Sequence, residues 1–308
     1  MSKQAEPDAV ERGPDGLNGF YNVAQSGLSY GSGANNGEVL PPMQFVARPP
    51  APPSRRGSGR GWAAAPGTYL LLGVNCAVYV AMVVGGVSPI SPEPAQLVHW
   101  GATFGAYVLA YGEWWRLVTA MFVHIGFLHL ATNMWCLWNL GLLGEPLLGV
   151  AGLIWVYLLT GFAGNLLSVA THPGLANGGA DGIVGAGASG AIFGLAGVLI
   201  VLLSSKYLPL PEFERKSLRK SVIWFAVLNF VLAAGVNVSH FSLKIDNSAH
   251  LGGFLSGLLL GVPLVPRFGS PVALFTRRRN LTVAGGALLL FLLCVAVRAF
   301  YLSEIQGS

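Results

Sequence analysis

Ile183-Val-Gly-Ala-Gly-Ala-Ser189-Gly-Ala-Ile-Phe-Gly194-Leu-Ala-Gly-Val-Leu-Ile-Val-Leu-Leu-Ser204 contains no Asp, Glu, Lys or Arg. A membrane-crossing helix needs about 20 apolar residues to span roughly 30 Å of hydrocarbon, so this stretch predicts a transmembrane helix. Six more charge-free runs lie near residues 68–87, 117–143, 147–170, 221–240, 248–266 and 281–297. Composition agrees, with 53% hydrophobic and only 10% charged residues, against about 25% charged in an ordinary soluble domain. The mean hydropathy is +0.58. A soluble enzyme, a secreted disulfide scaffold and a disordered chain are poor fits to these values. Cys76, Cys136 and Cys294 each sit inside an apolar run, which supports neither a disulfide framework nor a clustered metal site. No metal or cofactor is expected.

Residues 1–65 differ sharply. They are rich in Gly, Pro, Ser and Asn and include Arg48-Pro-Pro-Ala-Pro-Pro-Ser54, a composition that cannot bury a core and predicts a disordered tail. No apolar segment near Met1 suggests a cleavable signal peptide. Basic residues set the orientation, because positively charged loops are retained on the cytoplasmic side. With the N-terminus inside, fifteen of the 18 Lys and Arg fall inside, and only Arg116, Lys244 and Arg298 fall outside. The expectation is an all-α polytopic membrane protein with seven spans, N-terminus cytoplasmic and C-terminus outside. Its basic clusters are juxtamembrane and lack aromatic interleaving, so they imply the lipid bilayer as partner and no nucleic acid. About 30 residues between spans one and two carry Trp100, Trp114 and Trp115, which suits a segment lying in the outer interface.

Chemistry must then come from neutral polar residues inside the apolar runs, where burial of such groups is costly. His129 and Asn133 fall in the first turns of span two, Ser189 in the first turns of span four, and His250 at the start of span six. Spans two, four and six all begin at the outer face, so the four residues share one depth. His129 and Asn133, at i and i+4, share a helix face and can direct two donors into one pocket. His124 is five residues from His129, about 140° around a helix, and is assigned an interfacial role. Small residues at spacing four let helix backbones approach closely, and Gly190 and Gly194 answer Gly253, Gly257 and Gly261 in this way. If these faces meet, Ser189 and His250 come within hydrogen-bond reach, and a serine beside a basic histidine is an activated nucleophile.

The chain here resembles the rhomboid family of intramembrane serine proteases. Four elements carry the resemblance in order: Glu113-Trp-Trp-Arg116, His124-x4-His129-x3-Asn133, Gly187-Ala-Ser189-Gly190, and Ala249-His250-x2-Gly253-x3-Gly257. It covers residues from about 68 to 266 and implies a six-helix catalytic core (66–266) followed by a basic loop and a seventh helix (267–308). It further implies Ser189 as nucleophile and His250 as general base, a dyad without a carboxylate. Asp246 is given a helix-start role instead. By the same resemblance His129, Asn133 and Gly187 form the oxyanion hole. Phe193 takes the place of a tyrosine common in the family, supporting the catalytic histidine. The 241–248 loop is a candidate cap. Substrates are expected to be single-span membrane proteins with helix-weakening residues near the outer face, and a bacterial inner (plasma) membrane is the favoured location. A metalloprotease reading fails because His124-Ile-Gly-Phe-Leu-His129 lacks the spacing and glutamate of HExxH. A transporter, or a catalytically silent rhomboid-like membrane chaperone, remains as the alternative.

Overall fold

A backbone placed in hydrocarbon must satisfy its polar groups internally, which favours helices, and helices are what the apolar runs form. The computed structural model describes residues 65–174, 183–208, 210–238, 246–265 and 272–307. The tail 1–64, most of the candidate cap loop and part of the 267–280 basic loop lie outside the described residues. In chain order the helices are α1 (Pro66–Val84), α2 (Pro94–His99), α3 (Gly105–Leu109), α4 (Arg116–Thr119), α5 (Phe127–Thr171), α6 (Ser189–Ser204), α7 (Glu212–Val238), α8 (Asn247–Leu264) and α9 (Val272–Gly307). Gly149, at φ 72° and ψ 164°, interrupts α5 and divides it into two helical arms. Among the described residues β-pairing is limited to one isolated antiparallel bridge between Thr103 and Gly185. Among the described residues three helices are long and apolar enough to cross a membrane, Pro66–Val84, Phe127–Thr171 and Ala273–Gln306, and Ser189–Ser204 is a shorter apolar helix.

Helix α6 is the centre of the fold. Every residue from Gly190 to Leu199 is buried, as expected of a helix that is apolar all round. Its leucines join Leu137, Leu148, Leu153 and Tyr157 of α5 in the main core, which Val222 of α7 and Leu264 of α8 complete. The glycines set the helix spacing. A Cβ at Gly253 would collide with the Gly190 carbonyl, and one at Gly257 with the Gly194 carbonyl. Gly194 itself directs its missing Cβ at Thr160 of α5, and Gly261 packs on Val201 and Val198 of α6. The α6–α8 contact is thus backbone against backbone, over about two turns.

Two helix starts differ from expectation. The run beginning at 117 becomes helical only at Phe127, after the single turn of α4 and Gly126 at φ 84°. The intervening Ala120, Met121, Val123 and His124 are buried without being helical; hydropathy registers burial, and a buried turn scores like a span. The run from 183 likewise becomes helical only at Ser189.

Glu145, which falls between the expected spans two and three, lies within α5 and is 4% exposed. Its carboxylate accepts from the Gly67 N–H at 2.8 Å, the Thr68 N–H at 2.7 Å and the Thr68 hydroxyl at 2.7 Å. These are N–H groups that the first turn of α1 leaves without intrahelical acceptors, and a negative charge suits that end of the helix dipole. Arg116 performs a similar bracing task in the segment between α1 and α5. Its guanidinium meets Glu113 at 2.5 Å, donates to the Val98 and Ala102 carbonyls at 2.6 and 3.1 Å, and lies over the Trp115 ring.

Candidate active site

Ser189 is the first residue of α6, and the chain leading into it is held from two sides. Thr103 and Gly185 exchange N–H···O bonds at 2.8 and 3.0 Å, and the Gly187 N–H donates to the Ala120 carbonyl at 2.9 Å. Gly187 sits at φ 127°, backbone that glycine tolerates and residues with a Cβ do not. The helix start also matters chemically: the first N–H groups of α6, those of Ser189 and Gly190, have no intrahelical acceptor and favour negative charge.

His250 arrives from the first turn of α8. Asp246 caps that helix, accepting from the Ala249 N–H at 2.9 Å and, through its other oxygen, from the Ser168 hydroxyl of α5. This fastening, with the glycine contact below it, brings His250 Nε2 to 2.8 Å from Ser189 Oγ, although the two residues are 61 positions apart. Both oxygens of Asp246 are engaged away from the imidazole. His250 Nδ1 is buried and has no hydrogen-bond partner among the described residues, so packing orients the ring. Phe193 stacks on it at 4.5 Å and 26°, and Phe230 of α7 approaches edge-on at 6.2 Å and 77°.

Opposite the dyad stand His129 and Asn133 of α5. The Ile125 N–H donates to His129 Nδ1 at 3.2 Å, so the neutral ring carries its proton on Nε2, a tautomer assigned from the bond network. A Cβ added at Gly187 would lie 2.9 Å from that Nε2 and 3.6 Å from Asn133 Nδ2. The two donors therefore converge beside the residue that precedes Ala188 and Ser189. Asn133 Nδ2 is buried with no hydrogen-bond partner among the described residues, an exposed cost unless a ligand oxygen accepts from it.

The structure brings Ser189, His250, His129, Asn133, Gly187 and Phe193 into one cluster, with one correction. Gly187 cannot lend its own N–H to an oxyanion, because that N–H is already given to Ala120; its contribution is space, since a side chain there would strike His129. His124 also differs from its sequence reading. It precedes α5, so the 140° helical offset does not apply, and its ring lies 5.3 Å from that of His129. Its Nδ1 faces the Phe122 carbonyl at 3.1 Å, which places the proton there and leaves Nε2 a buried acceptor without a partner among the described residues. Phe230, Ser168 and Thr103 were not foreseen. Each acts through a tertiary contact with no local sequence signature.

The family model for the rhomboid domain matches residues 111–267, a span holding every residue of this cluster. Rhomboid protease GluP of Bacillus subtilis is 33% identical over 207 residues, covering 66% of this chain and 36% of that protein. RHOMBOID-like protein 5 of Arabidopsis thaliana is 35% identical over 161 residues, 51% of this chain and 47% of that one. Rhomboid-like protease 2 of Toxoplasma gondii is 29% identical over 192 residues, 61% of this chain and 62% of that one. The chain thus spans less than two thirds of the length of each of these relatives. With its apolar helices it is an integral membrane protein, and by its matched domain the chain belongs to the rhomboid family.

Proposed function

We propose that this protein is an intramembrane serine endopeptidase that hydrolyses a peptide bond in or near the transmembrane segment of single-span membrane proteins. The observation that carries the reading is the 2.8 Å hydrogen bond between His250 Nε2 and Ser189 Oγ at the start of α6. His250 Nε2 takes the hydroxyl proton as Oγ attacks the scissile carbonyl carbon. The resulting oxyanion accepts from His129 Nε2–H, Asn133 Nδ2–H and the free N–H groups at the α6 start. His250 then returns the proton to the departing amine nitrogen, leaving Ser189 acylated. Water, deprotonated by His250 Nε2, then attacks the acyl carbon; the C–Oγ bond breaks, the proton passes back from His250 to Ser189 Oγ, and the acid is freed. The negative ring face of Phe193 favours the transient imidazolium, partly replacing a carboxylate.

In this reading seven segments cross the membrane: α1, the two arms of α5, α6, α7, α8 and α9. The N-terminus is cytoplasmic, the C-terminus is outside, and the membrane is a bacterial inner (plasma) membrane. Residues 1–65 are a cytoplasmic tail, 66–266 the catalytic core, and 267–308 the basic loop, last span and outer terminus. Depth follows from length. The sixteen residues of α6 extend roughly 24 Å at about 1.5 Å each, shorter than the ~30 Å hydrocarbon core, so a helix anchored at its cytoplasmic end starts below the outer surface. A substrate helix has its amides satisfied internally and must unwind there, which favours small, helix-weakening residues at the cleavage site.

The test is incubation of the purified chain in detergent with single-span reporters in the presence of EDTA, the new N-terminus being located by mass spectrometry. Cleavage at a bond near the outer end of the reporter helix is expected. Intact protein that leaves a panel of such reporters uncut would shift the reading to a non-catalytic membrane chaperone. A companion result is expected from Asn133→Ala. One oxyanion donor contributes about 3 kcal/mol in the transition state, so kcat should fall roughly 10²-fold. KM and the thermal midpoint should hardly move, because Asn133 Nδ2 bonds to no other described residue. A variant that loses stability but not kcat would assign Asn133 to packing instead.

A further inference from the structure

A second cleft lies away from Ser189 and His250. It lies between the second arm of α5 and α9, has a volume of about 840 Å³, and is walled by Trp114, Trp155, Phe162, Ala287, Leu290 and Arg298 among others. Helix α9 is fastened above and below it. At the outer end Arg298 Nε donates to the Leu109 carbonyl at 3.2 Å, and the Tyr301 hydroxyl to the Gly174 carbonyl at 3.2 Å. Lower down, Gly286 faces Leu260 and Leu159. Between these attachments Leu290, Cys294 and Val297 of α9 pack against the cluster of Leu117, Leu166 and Val169, and the cleft opens beside that contact.

The walls are apolar except at one end, where the Arg298 guanidinium sits beside Gly112. No acidic side chain pairs with Arg298 among the described residues, and its Nη1 has no hydrogen-bond acceptor there. From Ala287 to Arg298 the cleft runs roughly 16 Å along α9 at about 1.5 Å per residue, close to the ~15 Å depth of one leaflet, half the hydrocarbon core. A chain-like apolar body with an anionic head is the complement of this shape and charge.

We propose that the cleft binds one anionic glycerophospholipid, with an acyl chain along Trp155, Phe162 and Leu290 and its phosphate against Arg298. Trp114 lines the same end, at the level of the headgroup, where amphipathic rings are favoured. The bound lipid fills the gap between α9 and the core, so the last helix is held through lipid as well as protein.

Native mass spectrometry of the full chain in detergent, titrated with phosphatidylglycerol or phosphatidylcholine, tests this. One phosphatidylglycerol should be retained, roughly fivefold more tightly than phosphatidylcholine, as expected for a single basic contact. Arg298→Gln should erase the preference, and Arg298→Lys should keep most of it. Because Arg298 also holds the Leu109 carbonyl, Ala287→Trp provides an independent arm: it puts an indole into the part of the cleft where the acyl chain lies, leaves that bond intact, and should weaken retention of either lipid while the protein stays folded. Retention without headgroup preference, or retention unaltered in Arg298→Gln and Ala287→Trp, would overturn the proposal. So would a dimer that Ala287→Trp dissociates, which would assign the cleft to a second copy of the chain.

Discussion

Replacing His250 by alanine is expected to lower reporter cleavage by roughly 10³-fold, the scale of a lost general base, and the double variant Ser189→Ala/His250→Ala should be no slower than either single one. The reasoning rests on the geometry of one proton. Ser189 Oγ has its hydrogen-bond partner in His250 Nε2 at 2.8 Å; without that base the hydroxyl is a weak nucleophile, and without the hydroxyl the base has nothing to activate. Residues that act as one unit are grossly non-additive for this reason. Initial rates should be compared at equal folded yield, with thermal midpoints recorded in parallel. Removal of the imidazole also breaks its stack on Phe193, so a modest drop in midpoint is compatible with the reading. A His250→Ala protein that is folded and still cleaves within tenfold of wild type would remove the dyad from the mechanism.

Much of this site was legible in sequence because its parts carry local signals. Ser189 stands out as a polar residue amid glycine and alanine at a helix start, and His129 and Asn133 through i, i+4 spacing. The match of Gly190 and Gly194 with Gly253 and Gly257 pointed to the helix pair that joins the two halves of the dyad. What escaped notice depends on contacts without local spacing. Phe230 reaches His250 only because α7 packs beside α6 and α8. Glu145 falls between two expected spans, and nothing in its neighbourhood reveals that the start of α1 comes to meet it. Helix starts depart from the apolar runs where apolar residues are buried in turns, as at 120–126. The family resemblance places Gly187 in the oxyanion hole. Its N–H is directed to Ala120 instead, an orientation fixed by a turn that periodicity cannot describe.

The Asp246 arrangement explains how a histidine without a carboxylate partner is still held to one position. In a Ser-His-Asp triad the acid orients the ring through Nδ1. Here Asp246, four residues earlier, orients the helix instead, tying the α8 start to Ser168 and to its own Ala249 N–H. The Phe193 and Phe230 rings fix the imidazole plane. The imidazole of His250 is thus positioned by the packing of the helix that carries it, and in that packing the glycine contact between α6 and α8 leaves no room for a Cβ.

Gly253→Val is accordingly expected to cost more than 100-fold in activity together with a clear fall in thermal midpoint, with Gly253→Ala intermediate. A Cβ at Gly253 meets the Gly190 carbonyl, which is backbone and cannot rotate away, so α8 must shift as a body. Overpacking of this kind typically costs 1–3 kcal/mol, and a displacement of about 1 Å at the reacting groups can by itself lower the rate 10²-fold. His250 lies one turn from Gly253 on α8, and Ser189 precedes Gly190 on α6, so the wedge acts between the two helices at the level of the dyad. Leu255→Ala, on an exposed face of the same helix, controls for substitution in α8 and should leave both quantities near wild type. Comparing the series at a temperature well below the lowest midpoint separates displacement from unfolding. Full activity in Gly253→Val would mean that α6 and α8 do not meet where these glycines place them.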